Sequence, residues 1–169
     1  MRQSREAAFR EFAEARTGHL FRSACLLTSG DTHLAEDLVQ DTLGRMYAVW
    51  GRASRVENPA AYAQTVLVRC YLRHRRRRSS DERPTGQLPD TPGQSAGDVS
   101  LRVALLDALR GLAPKDRAVV VLRYWEDRSV AETADALHVS SAAVRTRTTR
   151  ALAKLREQLG SGLGELALH

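Results

Sequence analysis

Between Ser140 and Arg156 the chain carries Arg145, Arg147, Arg150, Lys154 and Arg156, and no acid. Small side chains lie among them at Ser141, Ala142, Thr146 and Thr149. The chemistry this permits is recognition of a polyanion. A guanidinium pairs bidentately with guanine or with phosphate, and small neighbours let a helix approach the floor of the major groove. The candidate contacts are therefore Ser141, Ala142, Arg145, Thr146, Arg147, Thr149 and Arg150. Arg145 suits a base edge and Arg147 a phosphate. The competing reading is a solvated basic face with no ligand.

A second basic cluster is RCYLRHRRRR, with six arginines in the ten residues 69–78. Cations crowded without an acid repel one another, and a phosphate backbone relieves that repulsion. A helix C-terminus also favours cations through its dipole, with no ligand needed. Tyr62, Thr65, Arg69, Arg73, Arg76 and Arg77 form the candidate face here. Trp50, Tyr62 and Tyr71 bracket it. Unpaired bases stack on such rings, and ordinary core packing accounts for them equally well. Glu36, Asp37, Gln40 and Asp41 form an acidic patch in this otherwise basic half. An acidic face repels DNA, so a ligand there would be protein; a solvated face is the alternative.

Catalytic chemistry is weakly represented. His19, His33, His74, His138 and His169 show no metal-ligand spacing. No nucleophile and base converge. No enzymatic activity, metal or cofactor is expected. The glycines at 160, 162 and 164 follow no strand and read as a frayed end.

The elements that must position these residues are helices, and strand signals are nearly absent. Ser129 with Glu132 reads as a capping box opening one helix, on which Ala131, Ala134 and Leu137 recur at helical spacing. The chain breaks at His138–Ser140, where His138 stands at a turn position usually filled by glycine. Ser140 caps the next helix, with Val144, Thr148, Ala151, Leu152, Leu155 and Leu159 along its apolar face. Together these two helices predict a helix-turn-helix. Upstream, one helix is expected from Arg5 to Thr28, breaking at Thr17-Gly18. A second, capped by Asp31, is expected to reach Trp50 and to bury Ala35, Leu38, Val39, Thr42, Leu43 and Met46. A third starts at Asn58-Pro59, a cap followed by proline at the first helical position. It turns Ala63, Val66, Leu67 and Cys70 inward and Thr65, Arg69, Arg73 and Arg76 outward. The run Val119-Val120-Val121 sits inside a helical pattern from Pro114 to Trp125.

Charge is unevenly placed along the 169 residues. Residues 1–78 carry 14 basic and 8 acidic side chains, residues 79–100 carry 1 and 4, and residues 101–169 carry 11 and 8. The middle stretch holds three of the five prolines and three glycines. It buries too little apolar surface to offset chain entropy and reads as a flexible acidic linker. The expected fold class is thus all-α: two small helical domains at 1–78 and 101–160, the linker between them, and a disordered tail at 161–169. Cys25 and Cys70 belong to no CxxC motif and read as buried thiols in a reducing compartment. The charged N-terminus and the lack of any apolar run near the roughly 20 residues of a membrane span predict a cytoplasmic protein without membrane insertion.

These segments resemble a known family. AEDLVQDTL (Ala35–Leu43), NPAAYAQTVLVRCYLRHRRRR (Asn58–Arg78) and the stretch from Gly111 to Arg156 are similar, in order and spacing, to the extracytoplasmic-function group of bacterial sigma-70 factors. The Trp50, Asn58-Pro59, Tyr62 pattern is close to its actinobacterial sigma-E-like subgroup. The resemblance implies a sigma subunit that binds core RNA polymerase, directs it to promoters and helps melt the minus-ten region. It implies that Glu36, Asp37, Gln40 and Asp41 meet the β′ clamp helices and that the helix after Asn58 captures minus-ten DNA. It further implies that the helix after Ser140 reads the minus-thirty-five element, with its domain near the β flap. It admits an anti-sigma factor as a further partner. The chain departs from the family pattern at Arg69, where asparagine is usual, at His138 in place of glycine, and at Ala143 in place of threonine. The alternative function is a stand-alone helix-turn-helix regulator of duplex DNA.

Overall fold

A computed structural model describes residues 2–78 and 96–160. Among these residues the regular structure is helical, without a strand, and divides into two compact units. The expected tail and most of the expected linker, residues 161–169 and 79–95, lie outside the described residues.

The first unit holds α1 (Arg2–Leu27), α2 (Thr32–Ala48), the short α3 (Trp50–Ala53) and α4 (Pro59–Arg78). The turn between α1 and α2 needs left-handed backbone, at φ 57° for Ser29 and 92° for Gly30. The Gly30 amide donates back to the Cys25 carbonyl at 2.8 Å. Asp31 then caps α2 by accepting from the Leu34 amide at 3.1 Å. Asn58 caps α4 in the same way, accepting from the Ala61 amide at 3.0 Å. α1, α2 and α4 pack against one another and bury Leu20, Leu27, Met46, Leu67 and Tyr71 completely.

Three expectations fail in this unit. α1 does not break at Thr17-Gly18. A glycine inside a helix costs about 1 kcal/mol, too little to end a helix anchored along its length. Phe9 and Phe12 rest on Trp50 with ring centroids 5.4 and 5.0 Å apart, and Phe9 meets Tyr47 at 5.1 Å. Aromatic pairs add about 0.5–1.5 kcal/mol each beyond area burial. α2 stops at Ala48, and Trp50 opens α3, which turns its indole into that aromatic cluster. Leu43 and Val66 are only half-buried, as is Cys25.

The second unit holds α5 (Ala96–Arg110), α6 (Pro114–Val120), a π-helical turn (Val121–Trp125), α7 (Val130–Leu137) and α8 (Ser141–Leu159). Residues Ala96–Ser100 are the first turn of α5 and not linker. The valine run stays helical because Val119 and Val121 are buried in the core, which overrides their β preference. The π turn is closed by the Glu126 amide donating to the Val121 carbonyl at 2.9 Å. It leaves Tyr124 and Trp125 exposed.

The capping box at Ser129 is present. Its hydroxyl accepts from the Glu132 amide, and the Glu132 carboxylate accepts from the Ser129 amide, both at 3.0 Å. The buried face of α7 is Thr133, Ala134 and Ala136, whereas Ala131 is exposed and Leu137 half-buried. α7 meets α8 on one side and the π turn on another, so its buried arc rotates away from Ala131. His138 closes α7 in the left-handed region, at φ 55° and ψ 44°. Ser140 caps α8 by accepting from the Ala143 amide at 3.0 Å. Val119, Ala134 and Val144 form the core that locks α6, α7 and α8 together.

Candidate nucleic-acid interface and acidic patch

α8 turns Val144, Ala151 and Leu155 into the core. That fixes the opposite face. Ala142, Arg145, Thr146, Thr149 and Arg150 are exposed along it, and Ser141 and Arg147 are half-buried at its edges. Thr149 returns its hydroxyl to the Arg145 carbonyl at 3.1 Å, which keeps its surface compact. The Arg145 side chain forms none of the ion pairs among the described residues.

Arg147 and Arg150 are held differently. Both reach Asp116 in the first turn of α6. Arg147 Nη1 donates to Asp116 Oδ1 at 2.9 Å. Arg150 grips the same carboxylate at two points, Nη2 to Oδ1 at 3.0 Å and Nε to Oδ2 at 3.1 Å. Burial alone would raise the pKa of Asp116. The hydrogen bonds from Arg150 and Arg147 outweigh it, so the carboxyl titrates below the usual carboxylate range. Lys154 lies further along the same side of α8, its Nζ donating to the Gly111 carbonyl at 3.3 Å. Sequence reading missed Asp116 because it lies 31 and 34 residues from its partners, beyond any local pattern.

In the first unit, Arg76 and Arg77 are exposed, while Tyr62, Arg69 and Arg73 are half-buried. Thr65 is buried, against expectation, and its hydroxyl donates to the Ala61 carbonyl at 3.2 Å. α4 packs against both α1 and α2, so its buried arc is wider than a single stripe. Tyr71 is fully buried for the same reason and offers no ring to a base. Of the three bracketing aromatics, Trp50 is also core, which leaves Tyr62. His74 sits within this basic helix end. Burial, and then Arg78, Arg75 and Arg77, hold its pKa below the ordinary histidine value.

Glu36, Asp37, Gln40 and Asp41 are all exposed on one side of α2. Asp41 accepts from Arg45 Nε at 3.1 Å and also lies against the Cys70 thiol. Burial, and then the Asp41 charge, push the pKa of that thiol upward. Glu36 and Asp37 form none of the ion pairs among the described residues. Both cysteines are free thiols. Among the described residues, no cluster of histidine, cysteine and carboxylate could hold a metal ion, and no helix is long and apolar enough to cross a membrane.

The surfaces therefore comprise a basic helix on each unit and an acidic patch on the first. Family comparison matches the same two units. Residues 14–80 match sigma-70 region 2, and residues 102–155 match sigma-70 region 4. The chain is 41% identical over 152 residues to an RNA polymerase sigma-E factor of Streptomyces coelicolor, covering 89% of this chain and 85% of that relative. Among solved structures it resembles the sigma factor RpoE from Bartonella quintana, crystallised with the anti-sigma factor NepR. The TM-score is 0.72 at 23% identity, covering 91% of this chain and 98% of that one. It also resembles the Mycobacterium tuberculosis extracytoplasmic-function sigma factor SigJ, with a TM-score of 0.62 at 27% identity, over 93% of this chain and 56% of that one.

Proposed function

This chain belongs to the sigma-70 family of bacterial RNA polymerase sigma factors, in the sigma-E-like branch of its extracytoplasmic-function group, and from that membership we propose how its surfaces divide the work. It is a sigma factor that binds core RNA polymerase and brings it to promoter DNA. Phosphodiester synthesis stays with the polymerase, in the cytoplasm.

The exposed acidic side of α2 is the polymerase contact, at the β′ clamp helices. Glu36 and Asp37 carry most of it because their charge is not already compensated by an ion pair. The end of α4 follows the phosphates of the minus-ten region through Arg73, Arg76 and Arg77, with Arg69 and Tyr62 beside an unpaired base. In the second unit, α8 enters the major groove at minus thirty-five. Ser141, Ala142, Thr146 and Thr149 permit close approach, Arg145 reads a base, and Arg147 and Arg150 lie at the phosphate edge. An anti-sigma factor would act by covering these same surfaces.

The single observation that carries this reading is the match of both units, in order, to the two sigma regions. A stand-alone regulator would leave the region 2 match and the acidic patch without a role. The test is reconstitution. Purified protein should co-elute with core polymerase and support initiation at defined start sites, with thymines near those sites becoming permanganate-reactive. Duplex DNA binding without core polymerase binding would favour the regulator instead.

A further inference from the structure

We propose that Asp116 is a specificity-determining residue of the second unit: by holding Arg147 and Arg150 it restrains two cations that would otherwise bind any phosphate, and leaves sequence reading to Arg145. This rests on the reading of α8 as a DNA-binding helix.

The geometry carries the assignment. A guanidinium held at one point can swivel; one held at two points in its plane cannot. Arg150 is held at two points, and Arg147 shares the same oxygen. The depths of the three groups differ in a telling way. The Asp116 side chain is 5% exposed, Arg147 26% and Arg150 56%. The acid lies too deep to meet DNA itself, so its influence on DNA must pass through the two arginines at the surface. Between Ser140 and Arg156 there is no acid on α8. On this stretch the counter-charge comes from Asp116 of α6, which binds Arg147 and Arg150 and forms no ion pair with Arg145 among the described residues.

The consequence follows from counter-ion release. Each arginine free to neutralise a phosphate steepens the salt dependence of duplex binding by about 0.9 in log–log slope. That gain is indifferent to sequence and so erodes the ratio of specific to non-specific binding. A buried carboxylate that keeps two arginines engaged limits this indifferent term while leaving their outer edges available at a correctly placed backbone.

The test uses the full chain and a mixed-sequence duplex carrying no promoter, with binding followed by fluorescence anisotropy across a salt series. Asp116→Asn should bind about tenfold more tightly at low salt, with a slope steeper by about 1–2. In an Arg147→Gln, Arg150→Gln background, Asp116→Asn should change neither quantity. Unchanged affinity and slope in the single variant would overturn the proposal. So would an equal gain in the glutamine background, which would mark a plain loss of negative charge. Arg150→Lys is the second variant. It keeps the charge and the Asp116 carboxylate but gives up the two-point hold, so its slope should also steepen, and an unchanged slope overturns the proposal even if Asp116→Asn does not fold. Neither promoter nor polymerase enters this measurement, so failure of the sigma-factor reading would show separately, as absence of core polymerase binding.

Discussion

Arg117 of α6 donates from Nε to the Leu109 carbonyl, one residue before the end of α5, at 2.7 Å. Its Nη2 reaches the Arg110 and Leu112 carbonyls at 3.1 Å each. The last carbonyls of a helix lack partners within it, and here a buried guanidinium supplies donors. Arg117→Ala removes these donors, leaving the Leu109 carbonyl only its bond from the Leu112 amide at 3.1 Å, and should destabilise the second unit by about 3 kcal/mol, as for loss of a buried charged hydrogen-bonding group. The first unit should be unaffected. Hydrogen exchange read segment by segment distinguishes the two; a loss under about 1 kcal/mol would show that other donors replace Arg117.

His138 holds the turn of the helix-turn-helix at φ 55° without being glycine. Left-handed backbone costs a non-glycine residue roughly 1–2 kcal/mol, partly offset by the greater chain entropy of glycine when unfolded. His138→Gly should therefore stabilise the second unit by about 0.5–1 kcal/mol. His138→Val should destabilise it, because a β-branched side chain fits this region worst. Urea unfolding monitored by circular dichroism gives both signs, and a destabilised glycine variant would mean the imidazole contributes something its backbone strain conceals.

Asp116 makes acid stability a readout of the α6–α8 link. Its folded pKa lies below the ordinary value, because the Arg150 and Arg147 hydrogen bonds exceed the opposing effect of burial. A depressed folded pKa contributes stability that is fully present above the unfolded value, about 3.9, and is lost as pH falls through the folded value. The stability difference between wild type and Asp116→Asn should be constant from about pH 5 to 7 and should shrink below about pH 4. A difference that persists undiminished to about pH 2 would contradict the assignment.

Glu36→Lys with Asp37→Lys should abolish co-elution with core polymerase while shifting stability by no more than about 0.5 kcal/mol, since both residues are exposed and unpaired among the described residues. Asp41→Asn alone should weaken polymerase binding less, because Arg45 already engages that carboxylate. Wild-type affinity in the double variant would make the patch a solvated face.

Arg145→Ala should relax base preference at one minus-thirty-five position, at a cost of about 1–3 kcal/mol on the preferred base. Binding to a panel of duplexes substituted at each position measures this directly. An equal loss across all bases would assign Arg145 to the phosphates.

Local signals in the sequence specified four capped helix starts among the described residues. Asp31, Asn58, Ser129 and Ser140 each accept from the amide three residues on, an interaction within four consecutive residues. The acidic patch and the outer face of α8 were legible for a similar reason: exposed faces follow directly from helical periodicity. Tertiary packing decided what periodicity cannot encode. α1 continues through Gly18 because Phe9 and Phe12 are anchored on Trp50, more than three dozen residues away. Thr65 and Tyr71 are buried because α4 serves two neighbours at once, so its inward arc exceeds one stripe. The roles of Arg147 and Arg150 changed most. In sequence they are two more cations in a basic helix; in the fold they are bound to a carboxylate from another element. The energy of an ion pair depends on distance and burial in space, and neither quantity is a property of position along the chain.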